Sequence, residues 1–284
     1  MKAMILAAGL GTRLRPLTDD RPKALVELAG RTLLEITLSR LRTFGVTDVI
    51  INVHHFADMV TAYLKSKDNF GLRIEISRED ILLDTGGGLK KAAWFFLEDP
   101  KQNASSTPGE PFILHNVDVI STIDLHRMLQ YHTENHALAT LAVQSRDSSR
   151  LLLFNDQFHL CGRRINNQDQ LVSNSSLDRT GVDLGNQAKD CHSERSEESA
   201  SSSDSQLATH HSPLSLAFSG IHVISPRLLP LITEEGVFSI IPAYLRLAAQ
   251  GENILAFRAD EFYWRDLGKP ADLSQAALDL QQSK

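Results

Sequence analysis

Five short apolar runs, at residues 2–7, 48–53, 72–77, 111–115 and 137–143, alternate with segments of helical spacing at 32–44, 56–66, 88–97 and 124–134. In the first of these segments Leu34, Leu38 and Leu41 fall on one helical face, and Gly45 supplies the stop. Alternation of this kind requires crossover connections. Crossovers make successive strands parallel, so the expected fold is an open α/β sheet. In such sheets a ligand binds outside the carboxyl ends of the strands, which directs attention to the residues just after each run. Beyond about residue 150 the pattern changes. Residues 151–154 and 157–160 flank Asn155-Asp156 as a hairpin, 214–224 reads as a strand, and 238–249 as a helix. Residues 253–257 and 261–266 read as strands, and 270–281 is a helix begun by Pro270.

The first run, whose apolar stretch reads as a buried strand rather than a signal-peptide core, leads directly into Gly9-Leu10-Gly11-Thr12-Arg13-Leu14-Arg15-Pro16-Leu17-Thr18, with Pro22-Lys23-Ala24-Leu25 downstream. Glycines after a strand let the backbone approach a ligand and aim N–H groups at phosphate oxygens. The segment is not a dinucleotide fingerprint, because Leu14 occupies the third glycine position, and no Walker A spacing occurs. Its mark is the cations behind the glycines. Arg13, Arg15 and Lys23 have only Asp19 and Asp20 nearby to neutralise them. Arginine offers a rigid fork to phosphate and lysine a mobile point charge, so the segment reads as an anion site.

These residues resemble the signature of the sugar-1-phosphate nucleotidyltransferases, the nucleotide-sugar pyrophosphorylases. Further stretches are similar to that family's motifs: Asp84-Thr85-Gly86-Gly87-Gly88 to its second glycine loop, Asn116-Val117-Asp118 to its metal aspartate, Phe218-Ser219-Gly220-Ile221 to its sugar-side strand, and Trp264-Arg265-Asp266-Leu267-Gly268 to its W-x-D-x-G motif. Two departures stand out: the string His115-Asn116-Val117-Asp118 occurs where Gly, Ala or Thr is common beside the aspartate, and Lys269 stands where Thr is common. The resemblance implies a Rossmann-like open mixed, mainly parallel α/β sheet with helices on both faces. Residues 1–150 are then a nucleotide-binding half and 151–284 a sugar-binding half of one domain. It implies Mg²⁺-dependent transfer of a nucleotidyl group from a nucleoside triphosphate to a sugar 1-phosphate, with pyrophosphate released. Arg13, Lys23 and Asp118 would be catalytic. Leu6, Ala8, Gly9, Gly11, Thr12, Gly86 and Gly87 would line the nucleotide, together with Arg13 and Lys23. Asn116, Ser219 and Gly220 would meet the sugar, and Asp118 and Asp266 would hold Mg²⁺. The short length and the triple glycine are most similar to N-acetylmuramate-1-phosphate uridylyltransferases, a cell-wall activity. Guanylyl transfer to mannose or heptose 1-phosphate is the alternative, and a catalytically silent nucleotide-sensing subunit of the same fold is a second.

Such a reaction brings two anions together, so catalysis is positioning and charge neutralisation. A phosphate monoester is already an anionic nucleophile, and accordingly no His or Cys stands in the core motifs. Composition sets the remaining bounds. With 29 Lys+Arg against 35 Asp+Glu the chain carries a net charge of −6, the wrong balance for coating nucleic acid. No apolar run is long enough to cross a membrane. Two cysteines, Cys161 and Cys191, form neither a disulfide framework nor a metal-ligand spacing, which suits a reducing cytoplasm; a monomer and a homo-oligomer are both open. Residues 191–205 contain seven Ser and four acidic residues among fifteen, without Leu, Ile, Val or Phe. Such composition cannot offset an ordering entropy of roughly 1–2 kcal/mol per residue, so 170–212 reads as a disordered insertion.

Overall fold

A computed structural model describes residues 1–97, 109–172 and 212–282. The expected insertion therefore lies almost wholly outside the described residues, as do Cys191, His210 and His211. Among the described residues the central sheet has ten strands. β1 (Lys2–Leu6) lies between β4 (Asp48–Val53) and β6 (Phe112–Asn116), with β5 (Arg73–Arg78) beside β4, all parallel. Two short ribbons stand apart from it. β2 (Glu27–Leu28) pairs with β3 (Arg31–Thr32), and β7 (Val119–Ser121) pairs with β14 (Trp264–Asp266).

The long strand β12 (Leu214–Ile224) joins the two halves of the sheet. Its C-terminal part lies antiparallel between β6 and β8 (Ala139–Gln144), and its N-terminal part pairs with β9 (Arg150–Phe154). The sheet continues from β9 through β10 (Leu160–Ile165) to β11 (Gln168–Leu171), and β13 (Ile254–Arg258) adds in parallel to β8. The architecture is thus the expected mixed α/β sheet, parallel on its N-terminal side and antiparallel at the β9–β11 end.

Helices cover both faces because strand residues alternate direction. Ala3, Ile5, Val49, Ile51 and Ile113 share one core with helices α1 (Leu33–Thr43), α2 (Ala57–Ser66), α5 (Leu125–Glu134) and α7 (Pro270–Gln282). Met4, Ile50, Phe112, Leu114 and Leu141 share the other with α3 (Asp84–Lys91), α4 (Ala93–Leu97) and α6 (Ile240–Ala249). Leu34, Leu38 and Leu41 form the buried stripe of α1, and the Thr32 side chain caps that helix by accepting from Glu35 N at 3.1 Å.

The cores also enclose three histidines. His222 on β12 meets the Tyr244 hydroxyl at 2.9 Å, His115 on β6 lies 3.4 Å from Arg40 Nη1, and His132 on α5 meets Thr140 Oγ1 at 2.9 Å. Burial pushes His222 and His115 down to about 3 and His132 to about 4. An unfolded chain binds these protons near pH 6.5 while the folded one refuses them. Stability is therefore fully present above about pH 6.5 and falls on acidification, by roughly 1.4 kcal/mol per histidine and pH unit. Thermal melts are expected to drop progressively from pH 6.5 to 4.5. That window lies above the one in which Glu234, held low by its hydrogen bond from Arg246, is lost. Equal melting temperatures at pH 7 and pH 5 would contradict the assignment.

Candidate active site

The carboxyl ends of β1 and β6 open onto three adjoining cavities. The first, of about 220 Å³, is lined by Gly9, Gly11, Thr12, Arg13, Lys23 and Asp118, with Leu6 and Gly268 at its edges. Gly11 has φ +66°, and a Cβ there would stand 2.9 Å from Thr18 Cγ2, so the tight turn admits only glycine without displacement. Thr18 Oγ1 donates to Gly11 O at 2.9 Å and holds the loop closed. Lys23 is buried at 8% exposure, and its Nζ donates to Asp118 Oδ2. Arg13 is exposed and has no hydrogen bond or ion pair among the described residues. Arg15, by contrast, turns outward to pair with Asp19 at 3.4 Å.

Asp266 reaches the same place from the far end of the chain. Antiparallel pairing sets it opposite Val119, and Leu267 N donates to Asp118 O at 2.8 Å. A Cβ on Gly268 would lie 2.7 Å from Arg13 Nη2 and 2.8 Å from Asp266 Oδ1. The missing side chain therefore lets the guanidinium and the carboxylate close in on one another. Asp266 Oδ1 is buried with no hydrogen-bond partner among the described residues. Burial, and then the Asp118 charge, hold the Asp266 carboxyl above the usual range. An orphaned anionic oxygen beside a second carboxylate is a costly arrangement that a hard divalent cation would relieve. Among the described residues no three His, Cys, Asp or Glu cluster as a metal cage. Mg²⁺ usually takes only one or two carboxylates, with substrate phosphates completing its shell, so this pair fits it.

The second cavity, of about 440 Å³, shares Leu6, Gly9 and Asp118 with the first and adds Ala8, Asn52, Glu79, Asp84 and Thr85. Asn52 Oδ1 accepts from Ala7 N at 2.7 Å, and Asn52 Nδ2 donates to Glu79 Oε1 at 2.8 Å, so a buried network fixes this wall. The third, of about 510 Å³, lies between Asn116, Gly220, Trp264 and Asp266 on one side and the β9–β10 hairpin on the other. Asn116 borders both the second and third cavities. Gly220 has φ +73°, and a Cβ there would lie 2.8 Å from Asn116 Nδ2, so the turn in β12 makes room for that side chain.

Three expected site residues sit elsewhere. Gly86 and Gly87 line none of these cavities. Instead of a loop they form the start of α3, where their N–H groups donate to Phe238 O at 2.9 and 3.2 Å. Ser219 is fully buried with an unpartnered Oγ, and its carbonyl accepts from Trp264 Nε1 at 2.7 Å. Conversely, Asn52, Glu79, Arg146, Arg150 and Arg163 escape a reading of motifs, because isolated polar residues on strands or just beyond their ends look like ordinary surface or packing positions.

The family model described as nucleotidyl transferase matches residues 2–151. The chain is 54% identical over 101 residues to an N-acetylmuramate alpha-1-phosphate uridylyltransferase of Caulobacter vibrioides, a match covering 34% of this chain and 42% of that protein. It is 34% identical over 148 residues to a probable mannose-1-phosphate guanylyltransferase of Oryza sativa subsp. japonica, covering 52% and 39%. The chain thus spans about two fifths of the length of these relatives. Its fold matches a UDP-glucose pyrophosphorylase of Acinetobacter with TM-score 0.68 at 16% identity, over 98% of this chain and 92% of the other. It also matches HddC of Yersinia pseudotuberculosis complexed with GMP-PN, with TM-score 0.65 at 19% identity, over 98% and 99%.

Proposed function

We propose that this chain, which belongs to the nucleotidyl transferase family, transfers a nucleotidyl group from a nucleoside triphosphate to a sugar 1-phosphate and releases pyrophosphate. The observation that carries the reading is that Arg13, Lys23 and Asp118 line one glycine-lined cavity at the ends of β1 and β6, with Asp266, on the wall of the third cavity, near enough for the charges of all three to act on it. Arginine and lysine there neutralise a triphosphate, and the Gly9–Gly11 turn brings backbone N–H groups to it. Arg13, with no partner of its own, takes the β- and γ-phosphates and later the leaving pyrophosphate. Lys23, held by Asp118, takes the α-phosphate or the incoming sugar phosphate. The nucleoside enters the cavity of Ala8, Asn52 and Thr85, and the sugar enters the cavity beyond Asn116. A sugar-phosphate oxygen attacks the α-phosphorus, and the bond from that phosphorus to the bridging oxygen of pyrophosphate breaks. No side chain has to remove a proton. Asp118 and Asp266 would hold Mg²⁺, which when bound supplies further neutralisation of phosphate charge.

UTP and N-acetylmuramate 1-phosphate are the substrates we favour, on the likeness to the Caulobacter uridylyltransferase. The working division is a nucleotide half, 1–150, and a sugar half, 151–284, with Asn116, Val119, Arg146, Ser148 and Arg150 lent to the sugar cavity by the first. A cytoplasmic location is part of the proposal; among the described residues no helix is long and apolar enough to cross a membrane. A coupled pyrophosphate assay with four triphosphates against uncharged and acidic sugar 1-phosphates tests the reading. Pyrophosphate is expected only when triphosphate, sugar 1-phosphate and Mg²⁺ are all present. Folded protein that turns over no pair would overturn it.

A further inference from the structure

The cavity of about 510 Å³ assigned above to the sugar carries more positive charge than one phosphate requires. Four arginines, Arg146, Arg150, Arg163 and Arg164, line it against a single carboxylate, Asp266. Arg164 is neutralised, since its Nη2 donates to Asp169 Oδ2 at 2.9 Å. Arg146 is half-buried, stacked 3.7 Å from the Trp264 ring centroid, with Nη2 donating to Phe218 O and a buried Nε that lacks a partner. It lies on the Asp266 side, where the Asp266 charge acts on it. The other two have no ion pair among the described residues. Arg163 Nε donates only to the uncharged Gln170 Oε1, at 2.7 Å, and the Arg150 guanidinium has no partner among the described residues.

Strand register explains why these two act together. Arg150 pairs with Ile165, and Leu152 with Arg163, so Arg150, Leu152, Arg163 and Ile165 share one face of the β9–β10 hairpin. Arg164 pairs with Leu151 on the opposite face. Diagonal neighbours across such a pair stand roughly 7–8 Å apart, within reach of one small anion for long side chains. Around them the wall is apolar: Leu152, Ile165, Ile241 and Pro242. A fork of cations set in an aliphatic wall matches a carboxylate on a short aliphatic arm better than a second, more strongly hydrated phosphate.

We propose that Arg150 and Arg163 form a second anion site that selects sugar 1-phosphates bearing a carboxylate, the two guanidinium groups holding that carboxylate at the end of the cavity away from Asp118. The proposal rests on the reading of this cavity as the sugar site. It names the residues that set substrate class, which neither the glycine loop nor the aspartates can do.

The test compares N-acetylglucosamine 1-phosphate with N-acetylmuramate 1-phosphate, its carboxylated ether, on wild type, Arg150→Gln, Arg163→Gln, the double variant and Arg164→Gln. Wild type is expected to favour the acidic sugar in kcat/KM by about tenfold to a hundredfold, the range a hydrogen bond to a charged group carries. The double variant is expected to bring that ratio near one, through a raised KM for the acidic sugar. Arg164→Gln, whose charge is already matched by Asp169, is expected to keep the ratio. Direct binding of the two sugar phosphates by calorimetry should show the same preference and the same loss. Equal use of both sugars by wild type, or an equal loss on both in the double variant, would overturn the proposal. Absence of turnover with either sugar would instead overturn the nucleotidyl-transfer reading, and the binding preference would still decide this one.

Discussion

Asp118→Asn is expected to lower kcat by about a hundredfold or more, the scale on which removal of one charge-stabilising group at a reacting centre acts, while the protein stays folded. The fold should survive because Asp118 is held by its backbone: its carbonyl accepts from Leu267 N at 2.8 Å, which the substitution leaves untouched. An asparagine oxygen can still accept from Lys23 Nζ, so that buried ammonium keeps a neutral partner. What disappears is the negative charge that acts on the orphaned Asp266 oxygen, one of the two carboxylates that would share a cation. The loss should fall on rate more than on nucleotide binding, since Arg13, Gly9 and Gly11 are unchanged. Steady-state rates with saturating substrates, calorimetric affinity for the triphosphate and a melting curve separate the outcomes. A variant that turns over at the wild-type rate would remove Asp118 from the chemistry. A wild-type protein that binds nucleotide and has no rate to lose would be a sensor on the same fold.

Much of this arrangement is legible in the chain before any coordinates. Apolar runs place β1, β4 and β6 and their crossover helices, because burial on both faces of a parallel sheet leaves a nearly continuous apolar imprint, and β5, at the edge beside β4, shows the alternation of a strand with one exposed face. The string from Gly9 to Lys23 and the two aspartates are legible because close backbone approach and phosphate charge demand few residue types. The rest is hidden for three distinct reasons. Gly86 and Gly87 look like a ligand loop, yet glycine is equally demanded where a helix presses on another chain segment. Ser219 sits one residue before a positive-φ glycine, and which of the two faces the cavity depends on a register shift in β12 that local patterning does not encode. Arg150 and Arg163 are thirteen residues apart, and only the β9–β10 register puts them on one face. Long-range register is set by tertiary packing, so a motif search passes over them.

Gly87→Ala should be as damaging to stability as Asp118→Asn is to rate. In an exposed helix interior the change would stabilise by roughly 0.5–1 kcal/mol, because alanine has the better helix propensity. Here a Cβ would stand 2.4 Å from Gly236 O and 3.0 Å from Leu83 Cβ. The carbonyl belongs to backbone and can yield only if the 236–238 segment moves. That segment is tied to α3 by Gly86 N and Gly87 N donating to Phe238 O, by Phe238 N donating to Leu83 O at 3.2 Å, and by Ile240 N donating to Thr85 Oγ1 at 3.0 Å. Moving it also disturbs Thr85 and Val237, which line the second cavity, the one proposed for the nucleoside. Overpacking therefore outweighs propensity, with a net cost of about 1–3 kcal/mol. For a chain of this size that is a drop in melting temperature on the order of 3–10 °C, accompanied by weaker nucleotide binding. Gly9→Ala provides the contrast, since nothing lies within 4 Å of the added methyl and its φ is not in the left-handed region. It should melt with wild type, whatever it does to activity. A Gly87→Ala protein as stable as wild type would mean that the contact between α3 and the 236–238 segment is loose, and the glycine would then have to be explained by a ligand rather than by packing.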